Sequence, residues 1–137
     1  MSDPRFVHLR LHSEYSVTDG IVRIDDAVER AVELGMPALA LTDLANLFGL
    51  VKFYNATRGQ GVKPVFGCDI HLANETDPDR PYRLLLLCRS RQGYLQLCEL
   101  LSRAYLAEGR RDRAEIKRAA RVARKRTSDR EIGRAHV

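Results

Sequence analysis

No stretch of this chain approaches the roughly 18 uninterrupted apolar residues that a membrane-spanning helix requires. Residues 1–5, M-S-D-P-R, lack the basic-then-apolar pattern of a secretory leader. Cysteine is scarce: Cys68, Cys88 and Cys98 are odd in number, lie within apolar runs and form no C-x-x-C pair. That pattern argues against a disulfide framework and predicts three buried thiols in a reducing compartment. No internal repeat appears, and no low-complexity block precedes residue 105. These absences point to a cytoplasmic chain with no membrane association. At 137 residues it has room for one domain, and 45% hydrophobic with 30% charged residues is an ordinary globular composition.

The net charge of +5 is unevenly spread. Residues 1–102 hold 11 Lys/Arg and 13 Asp/Glu, a net of −2, whereas residues 103–137 hold 12 and 5, a net of +7. All the basicity therefore sits at one end. A high isoelectric point indicates nucleic-acid binding only when the charge is displayed on a folded surface. Here it is not an argument for DNA binding.

Residues 6–11 alternate apolar and polar side chains and predict a first strand. Residues 13–20 are polar and end in the turn signal Asp19-Gly20. Ile24, Ala27, Val28, Ala31 and Val32 recur at helical spacing, with Asp25 and Asp26 at the positive end and Gly35 as the stop. Residues 37–42 form a short apolar run, a buried second strand ending at Asp43. Leu50, Val51, Phe53 and Tyr54 predict a second helix closed by Gly59 and Gly61. Residues 62–72 contain a third strand, residues 83–88 a fourth, and residues 74–81 the polar loop between them. Tyr94, Leu97, Leu100, Leu101 and Ala104 mark a third helix.

Strands alternating with helices predict an α/β domain whose parallel strands are joined by crossovers, as an open doubly wound sheet or a barrel. In both, functional groups gather at the C-terminal ends of the strands. Arg10, His12, Asp43 and Asp69 fall at or just beyond expected strand ends. From residue 110 the chain turns Ala/Arg-rich, with a thin apolar stripe of Ile116, Ala119, Ala120 and Ala123. It has helix propensity but little to bury, and reads as a solvated helix or a non-native tail rather than a nucleic-acid-binding helix. The last seven residues, E-I-G-R-A-H-V, look like translated adapter DNA. The expected division is an incomplete domain over 1–118 and a basic tail over 119–137.

His8-Leu9-Arg10-Leu11-His12-Ser13 resembles the first motif of the PHP (polymerase and histidinol phosphatase) family. Leu41-Thr42-Asp43-Leu44-Ala45-Asn46-Leu47 resembles the second and Gly67-Cys68-Asp69 the third. Within that family, residues 5–105 resemble the N-terminal region of bacterial DNA polymerase III alpha subunits of the proteobacterial type. The connecting run G-L-V-K-F-Y-N-A-T-R-G-Q-G-V-K-P-V-F-G is especially similar. The resemblance implies a distorted (β/α)7 barrel, of which this chain holds roughly the first half. It also implies a parent that adds deoxynucleotides to a primer with Mg2+ at a palm domain far downstream. No part of that palm is present, so this segment is predicted to have no catalytic residues for polymerisation and no cofactor of its own.

Metal-binding members of the family take ligands from His-x-His in the first motif, Thr-Asp-His in the second, and a carboxylate in the third. The resulting cluster activates water against phosphoesters. This sequence departs from that pattern at three places. Arg10 and Arg83 stand where imidazoles belong, and Leu44 stands where the His after Thr-Asp belongs. Leucine offers no lone pair, and a guanidinium offers only donors. A fixed positive charge about 4 Å from a unit cation costs roughly 4 kcal/mol near a protein surface, and about twice that for a divalent ion. The family positions Arg10, His12, Asp19, Asp43, Leu44, Asp69 and Arg83 are therefore read as a degenerate site that binds no metal. The remaining carboxylates, Asp19, Asp43 and Asp69, need compensating charge if they cluster, and Arg10 and Arg83 could supply it as an ion-pair network.

The expected role is structural support within a replicative polymerase catalytic subunit. Its partners by resemblance are the rest of that subunit, a separate proofreading exonuclease, and DNA through the intact parent. The main alternative is a free-standing, metal-dependent PHP phosphoesterase, and a third is a small basic nucleic-acid-binding protein resting on the tail alone. His8 reads as a remnant ligand or a hydrogen-bonded strand residue, and His71 as sharing the side of the strand that Asp69 occupies. Ser13 and Ser16 read as turn-formers rather than nucleophiles, and Phe53, Tyr54 and Tyr94 as packing residues.

Overall fold

The computed structural model describes residues 6–107 and 113–117. Helix α1 (Ile24–Glu33) carries Asp25 and Asp26 in its first turn, where they complement the positive end of the helix dipole. It stops at Gly35, whose φ of 66° costs glycine little. Ile24, Val28 and Ala31 are buried on one face, the spacing that an amphipathic helix requires. Strand β1 (Ala38–Leu41) is buried over Leu39, Ala40 and Leu41. Helix α2 (Leu50–Gly59) follows it, and α2 gives way through Gly61 to β2 (Lys63–Leu72). Strands β1 and β2 pair in parallel, from Ala38 opposite Lys63 to Leu41 opposite Phe66. Together with α1 and α2 they enclose a core of Ile24, Val28, Leu39, Leu41, Leu50, Phe53 and Val62. Phe53 is fully buried and meets Phe66 edge-on, with ring centroids 6.3 Å apart. Burying such a ring contributes roughly 1.5–3 kcal/mol.

Strand β3 (Tyr82–Leu87) is not one of the parallel strands joined by crossovers, because it pairs antiparallel to β2, with Gly67 opposite Leu87 and Leu72 opposite Tyr82. The reason is the connection. Residues 73–81 contain no helix, and a parallel return needs a crossover of a dozen residues or more. The backbones approach closely here: a Cβ on Gly67 would lie 2.4 Å from the Leu86 carbonyl oxygen. Helix α3 (Arg91–Leu106) is capped by Ser90, whose hydroxyl accepts from the Gly93 N–H. It buries Leu97 and Leu101 against Cys68, Ile70 and Ile116.

Three further expectations are corrected. The strand expected at residues 6–11 lies alongside β1, with Ala40 and Thr42 N–H groups donating to the carbonyls of His8 and Leu11 at 2.9 Å. It forms only a single bridge, His8 to Leu39. The helical reading from residue 110 fails at Glu115–Ile116, which form a short strand β4 parallel to β2. Ile116 is buried in the α3 core, so this stretch does have something to bury. Residues 118–137, and with them most of the expected tail, lie outside the described residues. Of the three thiols only Cys68 is buried, while Cys88 and Cys98 are partly exposed. Among the described residues, no helix is long and apolar enough to cross a membrane.

A chain of carboxylates and arginines beside the C-terminal half of the second strand

Beyond Phe66, β2 outruns β1, and the departing chain covers its edge only through a bridge between Leu44 and Asp69. Asp69 thus lies inside β2 rather than at its end. Its side chain is completely buried. The Arg10 guanidinium reaches it from the neighbouring segment, with Nε at 2.9 Å and Nη2 at 2.6 Å from Asp69 Oδ2. His12 Nε2 lies 2.8 Å from the same oxygen, and His12 Nδ1 lies 2.9 Å from Asp19 Oδ1. Arg83, on β3, donates from Nη1 to Asp19 Oδ2 at 3.2 Å. Arg10, Asp69, His12, Asp19 and Arg83 therefore form one continuous chain of polar contacts drawn from four separate parts of the sequence. Burial alone would raise the Asp19 pKa, but hydrogen bonds and charge from Arg83 and His12 outweigh it and hold the carboxyl below its ordinary value.

Asp43 does not join this chain. It is buried just past β1 and is occupied instead by two serines. Ser13 donates its backbone N–H to Oδ1 at 2.6 Å and lies with its hydroxyl 2.9 and 2.8 Å from the two oxygens. The Ser16 hydroxyl donates to Oδ1 at 2.9 Å and accepts from the Leu44 N–H at 3.0 Å. Charge-assisted bonds of this kind are roughly twice as strong as neutral ones. The serines form a turn, as their composition suggests, and the turn is fastened to β1 by the carboxylate between them. The spacing S-x-x-S, with an Asp closing a neighbouring strand, was the available signal for this contact.

The 13–22 segment closes on itself beside these residues. Glu14 N–H donates to the Val22 carbonyl at 2.9 Å, and a Cβ on Gly20 would lie 2.0 Å from the Ser13 carbonyl oxygen. Leu44 brings a side chain with no donor atom to this place. Asn46 binds the Tyr15 and Leu44 carbonyls, and Tyr105 donates from α3 to the Ala45 carbonyl at 2.8 Å. These last two contacts leave no pattern in the sequence. His71 lies two residues beyond Asp69 on β2, directly across from Arg83 on one side and Glu115 on the other. Its Nδ1 and the Asp69 Oδ1 are buried and have no hydrogen-bond partner among the described residues. Burial first, then the positive charges of Arg83 and Arg113, push the His71 pKa below its ordinary value. Burial drives the Cys68 thiol up to about 12, so it is no nucleophile.

The PHP domain family matches residues 8–130. The DNA polymerase III subunit alpha of Neisseria meningitidis (serogroup A) is 48% identical over 110 residues, which is 80% of this chain and 10% of that protein. Its counterpart in Escherichia coli K12 is 49% identical over 105 residues, 77% of this chain and 9% of that one. The chain thus spans about a tenth of the curated relatives it matches. Two solved structures share the fold at 19% identity. One, described as a metal-dependent phosphoesterase from Bifidobacterium adolescentis, has a TM-score of 0.56 over 77% of this chain and 35% of its own. The other, an amidohydrolase from Chromobacterium violaceum, has a TM-score of 0.55 over 96% of this chain and 39% of its own. The mixed sheet is accordingly part of a PHP-type (β/α) barrel, and the chain belongs to the PHP domain family.

Proposed function

We propose that this segment is the N-terminal part of a PHP domain in a replicative DNA polymerase catalytic subunit, where it supports the polymerase rather than hydrolysing phosphoesters. The observation that carries the reading is the placement of Arg10 on Asp69, with Arg83 on Asp19. A metal cluster does not fit the residues present. Two of the carboxylates that would ligate it already hold guanidinium groups, and Asp43 is occupied by Ser13 and Ser16. Leu44 has nothing to donate. One buried carboxylate oxygen, Asp69 Oδ1, has no partner among the described residues, which is too little for a cation that needs several ligands. Likeness to polymerase alpha subunits over four-fifths of the chain favours the polymerase context.

In that context the partners are the remainder of the alpha subunit, a proofreading exonuclease docked on the domain, and DNA held by the intact parent. The Mg2+ ions of nucleotide addition belong to a palm domain outside this chain. The test is a pair of assays on the intact subunit that carries this segment. Primer extension is expected, and hydrolysis of p-nitrophenyl phosphate with added Mn2+ is not. A protein that hydrolysed the ester and failed to extend primers would instead be a free-standing phosphoesterase.

A further inference from the structure

We infer that residues 13–22 form a strap fastened at two points of different character, a buried hydroxyl-carboxylate base and an exposed ionic tip, so that the tip can open while the base stays shut. The base is Asp43, buried and held by Ser13 and Ser16. The tip is Asp19, held by His12 and by Arg83 from β3, with about a third of the Asp19 side chain and 42% of that of Arg83 exposed. Between them Val17 sits at φ 63° and ψ −57°, with the Thr18 N–H donating to the Ser16 carbonyl at 2.7 Å. That is a γ-turn of the rare positive-φ kind, and a β-branched residue adopts it under strain. The Val17 side chain is 82% exposed, so its packing does little to hold the turn in place. The strain is opposed near the base by the Ser13 and Ser16 bonds to Asp43 and by the closure of Glu14 on Val22, and at the tip by the contacts of Asp19 with His12 and Arg83.

The fasteners respond differently to solvent. An exposed ion pair is screened by salt, because the Debye length falls from about 8 Å at 0.15 M to about 3 Å at 1 M, whereas buried hydroxyl–carboxylate bonds are screened much less. Release of Asp19 removes one of the two partners of His12, which keeps its contact with Asp69.

Hydrogen exchange on the intact subunit tests this, with amides 17–22 compared against amides 13–16 and the β2 core. Asp19→Asn and Arg83→Gln should each speed exchange at 17–22 by about tenfold and leave β2 unchanged. The double variant should be no faster than the faster single one, and 1 M NaCl should reproduce the effect in the unaltered protein. Asp43→Asn should speed exchange across the whole of 13–22. Equal exchange rates at 17–22 in all variants, or additive effects of Asp19→Asn and Arg83→Gln, would overturn the two-point strap. So would a uniform rise that includes β2.

Discussion

Ser13 presents two donors to Asp43, its main-chain N–H at 2.6 Å and its hydroxyl at under 3 Å from either oxygen. Both residues are buried, so this contact ties the first motif to the end of β1 where water cannot replace it. Truncation of Asp43 would strand the Ser13 N–H and two hydroxyls, each at a cost of about 1–3 kcal/mol. Asp43→Ala should therefore destabilise the intact domain by several kcal/mol in urea unfolding. Leu44→Ala, next to it but only partly buried, should cost far less.

Phe53 gives a reference for the core. It is buried among Ile24, Leu41 and Val62, and Phe53→Ala should cost about 3–5 kcal/mol in the same experiment. Val51, on the same helix, is 74% exposed, and Val51→Ala should change stability by under about 0.5 kcal/mol.

His71 sets a pH dependence. Its folded-state pKa lies below the unfolded value because of burial and the charges of Arg83 and Arg113. The unfolded chain then binds the proton more readily, so stability is complete above the ordinary histidine range and falls as pH drops toward the folded value. Asp19 acts in the same direction at lower pH, through Arg83 and His12. Unfolding midpoints measured from pH 7 to pH 5 should decline less steeply in His71→Asn than in the unaltered protein.

Thiol labelling separates the three cysteines. Cys68 is buried with its pKa driven to about 12, whereas Cys88 and Cys98 are partly exposed. A maleimide at neutral pH should modify Cys88 and Cys98 first, and Cys68 only with denaturant, as read by mass spectrometry of peptides.

How much of this was legible in the sequence follows from which forces act locally. The helices at Ile24, Leu50 and Arg91 were readable because their apolar spacing, Gly35 and Gly61 act within a few residues. The antiparallel turn of β3 was not, because an apolar run such as L-L-L-L suits either direction, and only the length of the 73–81 connection decides it. Residues 6–11 carry a strand pattern, yet pair with β1 at one bridge only. Ile116 lay in a stretch whose Ala/Arg composition favours helix, and its pairing with Leu72 across more than forty residues overrode that preference. At the site, the residue types at positions 10, 44 and 83 were visible as departures from the family pattern. The pairing of Arg10 with Asp69, 59 residues away, needed the fold. The serine bonds to Asp43 were missed because serines near a turn carry their own sufficient explanation.

The most direct test is metal content, measured by plasma emission after gel filtration in buffer containing Zn2+ and Mn2+. The intact domain should emerge with no stoichiometric metal, and Arg10→His, Leu44→His and Arg83→His combined should retain some. Tightly held metal in the unaltered domain, or none in a folded triple variant, would contradict the account.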